Sequence, residues 1–134
     1  MPLDINAVMG RWMESRYDAI YHHLFFTDTD PAAGLEWWLS SGSSHLWHPN
    51  QKTPATAWEA QIDDLMARQS TTLDHAERQR LFAEVQRVFV AHNPVIYFVT
   101  PRIYVATSMR VAPAKPGLGR PQILWAADEL AVAK

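Results

Sequence analysis

Residues 74–99 read DHAERQRLFAEVQRVFVAHNPVIYFV, and the order of elements they spell out sets the expected fold. Asp74 and Glu77 stand three apart, the spacing at which a cap and a following glutamate each cover the other's exposed backbone donor. Leu81, Phe82, Val85, Val88 and Phe89 then recur on one helical face, each worth about 1.5–3 kcal/mol if fully covered. Arg78, Arg80, Glu84 and Arg87 fall on the solvated side. Asn93 can take a left-handed turn and Pro94 cannot continue a helix, so the helix ends there. The run VIYFV, residues 95–99, is too short for a helix and reads as a strand covered on both faces.

Working outward, Pro101 breaks that strand, and residues 103–107 read as a further one. Residues 111–121 hold three prolines and two glycines, a loop, and QILWAADEL (122–130) is expected to add a last short strand and dock Trp125. Upstream, Thr56 and Glu59 repeat the capping-box spacing and open a helix that buries Trp58, Ile62, Leu65 and Met66. At the front, Ile5, Val8, Met9, Trp12 and Met13 share one face of a helix over residues 5–16, capped by Asp4. Residues 17–26, rich in β-branched and aromatic side chains without helical spacing, read as a buried strand. Asp28-Thr29-Asp30-Pro31 ends it, and Pro31 is suited to the first position of a short helix continuing over residues 32–39. SSGSS (40–44) is a loop, and HLWHPNQKTP (45–54) is an irregular surface segment.

At 134 residues the chain fits one modest domain, without internal repeats. With 48% hydrophobic and 19% charged residues and a formal net charge of −2, it has no basic excess to hold a phosphate backbone, so nucleic acid is not an expected partner. The absence of cysteine excludes disulfides and thiolate metal sites. No stretch reaches the roughly 20 apolar residues that span a bilayer, and MPLDINAVMG lacks the charged start and apolar core of a secretion signal.

Several groups bear on chemistry. His22 and His23 are neighbours on an expected strand and point to opposite faces, which prevents a shared grip on one ion. His45 and His48 come nearer to ligand spacing, but sit in a loop with no fixed third ligand, so surface histidine is the plain reading and no metal is expected. Ser40, Ser41, Ser43 and Ser44 lack a nucleophile-elbow context. Asp63 and Asp64 fall on the charged side of a helix. Asp28 and Asp30 follow a buried strand, where α/β sheets customarily place a ligand crevice; Asp30 simply capping the helix opened by Pro31 is the competing account. Phe25, Phe26, Trp37, Trp38 and Trp47 cluster around this elbow, more rings than core packing obviously absorbs.

The series YDAI, HLWHPN, AWEAQIDDLM and ERQRLFAEVQRVFVAHNPVIYFVTPRIYVATSMRV closely resembles the C-terminal part of the family 5 extracellular solute-binding proteins, the peptide- and nickel-binding subunits of ABC importers. It covers residues 5–111. The resemblance implies an α/β fold: part of a periplasmic-binding-protein type II lobe, a mixed sheet flanked by helices, over residues 5–127 with termini at 1–4 and 128–134. It also implies a non-catalytic protein without cofactor, a fragment of a longer two-lobed parent in the periplasm or tethered outside the membrane. Its partners would be a small-molecule or peptide solute and an ABC permease.

In peptide-binding relatives the segment matching residues 24–31 lines the cleft, and an acid three places before the Asp-Pro step receives the peptide's amino group. Here that place holds Thr27, with Asp28 one residue later, and Leu24 replaces the usual tryptophan. The resemblance therefore points to Phe25, Phe26, Thr27, Asp28 and Trp47 as ligand-binding residues for an extended or apolar solute. Two alternatives stand beside it: an associating structural domain that self-associates through exposed strands, and a metal-dependent hydrolase using His45, His48 and Asp28.

Overall fold

The computed structural model describes residues 3–21, 29–100, 102–112, 117 and 127–132. The chain divides into two compact units, residues 1–24 with 30–96, and residues 25–29 with 97–134.

The first unit is helical. Asp4 caps α1 (Ile5–Met13), its Oδ1 accepting from the backbone N–H of Asn6 at 2.9 Å and of Ala7 at 3.2 Å. The helix ends short of Arg16 because Ser15 takes a positive φ of 53°. Of the expected apolar face only Trp12 is buried; Ile5 is 69% exposed. What holds α1 is polar: Trp12 Nε1 and Tyr17 Oη donate to the Leu46 carbonyl at 3.0 and 3.2 Å, and Asn50 Nδ2 donates to the Met13 carbonyl at 3.0 Å. Residues 17–21 form no strand, and the rest of that expected strand lies outside the described residues. Pro31 opens a 3₁₀ turn (Pro31–Gly34) that leads into α2 (Leu35–Trp38).

The body of the unit is a helical hairpin, α3 (Ala57–Thr71) and α4 (His75–His92), joined by the short link 72–74. Thr56 and Glu59 form the full capping box at α3. At α4 only half of it forms: Asp74 accepts from the Glu77 N–H at 2.7 Å, but the Glu77 carboxylate is taken by Arg80, two bonds of 2.7 Å. Ile62, Leu65 and Met66 pack against Leu81, Val85, Val88 and Phe89, with Trp37 of α2 completing the cluster and Trp58 and Phe82 half-buried at its margin. Asn93 ends α4 at φ 44°, ψ 53°, the left-handed cap expected of it.

The second unit overturns the expected α/β class. Helices take up 49% of the described residues, and their only sheet is a two-stranded antiparallel one, β1 (Val111–Ala112) with β2 (Ala131–Val132), in register Val111↔Val132. Among the described residues there is no mixed sheet flanked by helices, and hence no type II lobe. Among the described residues, 96–99 and 103–105 form no paired strand: Ile96–Val99 are each 69–76% exposed and Tyr104 84%. Among the described residues no backbone hydrogen bond joins residues 95–107 to any other segment. β-branched and aromatic content favours an extended backbone, but a strand also needs a neighbour's N–H and C=O groups, and local sequence cannot supply one. Residues 111 and 112 form a strand where a loop was expected, and Ala127–Glu129 is a 3₁₀ turn where strand was expected. Pro101, most of residues 113–121 and Trp125 lie outside the described residues. Among the described residues no helix is long and apolar enough to cross a membrane.

Candidate functional site: a carboxylate enclosed by tryptophans

The densest polar cluster of the first unit is built on Glu59, the third residue of α3 and 3% exposed. Its Oε2 accepts from Thr56 N–H and Thr56 Oγ1, both at 2.9 Å, as the capping box dictates. Its Oε1 accepts from three side chains of the 45–51 loop: Trp47 Nε1 and Gln51 Nε2, each at 3.1 Å, and His45 Nε2 at 3.3 Å. The other ring nitrogen of His45, itself buried, stands 3.3 Å from the Trp37 carbonyl. Burial alone would raise the Glu59 carboxyl; bonds from Gln51, Thr56, His45 and Trp47 outweigh it and bring it down from 4.5 to about 2. Glu59 is thus a permanent anion near neutral pH and no proton donor, and its enclosure removes it from any substrate.

Around this anion the aromatic rings pack on one another. Trp37 meets Trp47 edge-on at 5.4 Å, Trp47 meets Phe89 at 5.4 Å, Trp38 meets Phe82 at 5.3 Å, and Trp58 stacks on His92 at 5.0 Å. The rings near the elbow that fall among the described residues are therefore spent on the core. Trp47, expected on a ligand wall, is half-buried with its indole N–H given to Glu59. Phe25, Phe26, Thr27 and Asp28 lie outside the described residues.

Asp30 is a cap: its Oδ1 accepts from the Ala32 N–H at 2.9 Å. It also receives Arg78 NH2 on both oxygens, at 2.6 and 2.8 Å, so Arg78 does not simply face solvent. The Arg78 bond first, then the Ala32 N–H, hold the Asp30 carboxyl below its usual range. Asp63 likewise leaves the solvated side, accepting from Ser40 N–H at 2.8 Å and Ser40 Oγ at 2.6 Å. Asp64 pairs with Arg68 at 3.4 Å. Gly42 sits so close to α2 that a Cβ there would lie 2.2 Å from the Glu36 carbonyl oxygen.

His45 and His48 do not come together as a metal pair: His45 is committed to Glu59 and Trp37, while His48 is exposed. Among the described residues no group of three His, Cys, Asp or Glu side chains could hold a metal ion. Sequence reasoning took Glu59 for a cap alone. The overlooked signal was the supply of donors, His45, Trp47 and Gln51, just upstream of a helix whose third residue is a glutamate. Comparison with protein-family models, curated proteins and solved structures returned no match.

Proposed function

We propose that the chain is a C-terminal portion of a solute-binding subunit of an ABC importer, acting without catalysis to hold a small-molecule or peptide solute outside the membrane. The reading rests on the sequence resemblance. One observation in the structure carries it furthest: beyond Pro94, Ile96, Tyr97, Phe98, Val99 and Tyr104 are exposed, and among the described residues no backbone hydrogen bond joins residues 95–107 to another segment. Exposed apolar side chains along one stretch suit a segment that further polypeptide covers. The buried, fully ionised Glu59 is consistent with a framework role for the helical unit, with solute contacts falling to residues 25–28 and to polypeptide beyond this chain.

The test is calorimetric titration with a mixture of short peptides, on this chain and on the longest protein encoded by its reading frame. Binding by the longer protein and none by this chain is expected, since a part of a binding site gives few of the contacts that the whole one makes. Micromolar binding by this chain alone, or a longer protein that carries no secretion signal and binds no solute, refutes the reading. A second reading, a domain that works by self-association, draws on the same exposed run. Light scattering showing a monomer at high concentration removes it.

A further inference from the structure

The two neighbours of the His45 ring are both acceptors. Nε2 faces the Glu59 carboxylate and Nδ1 faces the Trp37 carbonyl, each at 3.3 Å. A neutral imidazole has one N–H and one lone pair, so in either tautomer it turns a lone pair on one of these oxygens. Only the imidazolium, a donor at both nitrogens, satisfies both in a site where His45 is 1% exposed. We propose that His45 is held as a buried imidazolium paired with Glu59, and that this proton fastens the 45–50 loop, and through it α1, to the helical hairpin.

The route to α1 is short. Leu46, the next residue, offers the carbonyl that accepts from both Trp12 Nε1 and Tyr17 Oη, and Asn50 of the same loop donates to the Met13 carbonyl. With only Trp12 of its apolar face buried, α1 leans on these bonds, so the position of the loop sets the position of the helix. Loss of the proton to solvent leaves a lone pair against one of the two oxygens, and the relief is outward movement of the loop. Glu59 stays ionised well below neutral pH because of its other donors.

The remaining titratable groups on the elements packed around this ring are engaged elsewhere. Glu36 of α2 accepts from Ser43, Asp63 of α3 from Ser40, His92 of α4 stacks on Trp58, and His48 of the loop itself is exposed.

The experiment is two-dimensional NMR of the ¹⁵N-labelled chain at neutral pH, reading the ring nitrogens of His45 and hydrogen exchange at the Trp12 indole N–H. Both His45 nitrogens are expected to show the shifts of protonated nitrogens. Raising the pH until that pattern is lost is expected to cost the Trp12 indole its protection in the same step, beyond the ordinary hydroxide dependence. In Glu59→Gln the doubly protonated pattern is expected to be lost at neutral pH. A single-proton tautomer in the wild-type chain, or protection at Trp12 unchanged when the His45 proton leaves, overturns the proposal.

Discussion

Replacing Glu59 by Gln should change the acid sensitivity of the fold as well as its stability. The carboxylate accepts five hydrogen bonds in a site that is 3% exposed. A glutamine of nearly the same shape carries no charge and presents one oxygen where two now accept. Removing one partner of a buried, hydrogen-bonded charge costs about 3–5 kcal/mol, a large part of the roughly 5–15 kcal/mol that holds a domain folded. The pH dependence is the sharper signature. Because the Glu59 carboxyl is depressed from 4.5 to about 2, its contribution is fully present above the unfolded value and is lost as pH falls toward 2. At about 1.4 kcal/mol for each pH unit of depression, that contribution is roughly 3 kcal/mol. Asp30, Glu36 and Glu77 are also depressed, but both proteins keep them, so they cancel in the difference. Urea unfolding followed by tryptophan fluorescence, at about pH 7 and again at about pH 2, measures the gap between wild type and Glu59→Gln. It should narrow by roughly 3 kcal/mol on acidification. A gap that does not change with pH would refute the placement of an ionised Glu59 among these donors.

Substitutions at three further positions separate the parts of the helical unit. Gly42→Ala puts a Cβ against backbone atoms of Glu36 at 2.2–2.9 Å, which cannot yield as a side chain would; a loss of about 1–3 kcal/mol is expected in thermal melts, and an unchanged Tm would argue against the close approach of this loop to α2. Asn93→Ala forces a Cβ-bearing residue without a local hydrogen-bonding group into the left-handed region and should cost about 1–2 kcal/mol, whereas Asn93→Gly should cost nothing measurable, the pair being read by urea midpoints. Trp47→Phe keeps most of the ring area but removes the N–H given to Glu59, for an expected loss of about 1.5–3 kcal/mol; a solute-contact role for Trp47 would instead leave stability untouched and weaken only ligand affinity.

The sequence alone determined what lies within a few residues along the chain. Asp4, Asp30 before Pro31, Thr56 with Glu59, and Asn93 before Pro94 were legible because a cap and the backbone it serves are at most four residues apart. The buried faces of α3 and α4 were legible for a related reason: a helix satisfies its own backbone, so apolar spacing suffices to say which side turns inward. Extended segments are different. Residues 95–99 and 103–107 carry the composition of strands, yet pairing is a property of two segments distant in sequence, and only the tertiary structure decides whether a second one is present. The same holds for the aromatic cluster. Whether Trp47 faced a ligand or the core depended on Glu59, twelve residues away on the first turn of another element, offering an anion where the indole N–H arrives. That carboxylate looked from the sequence like a cap; the three donors of the 45–51 loop make it the centre of the unit, because a buried charge persists only where enough donors converge on it in space.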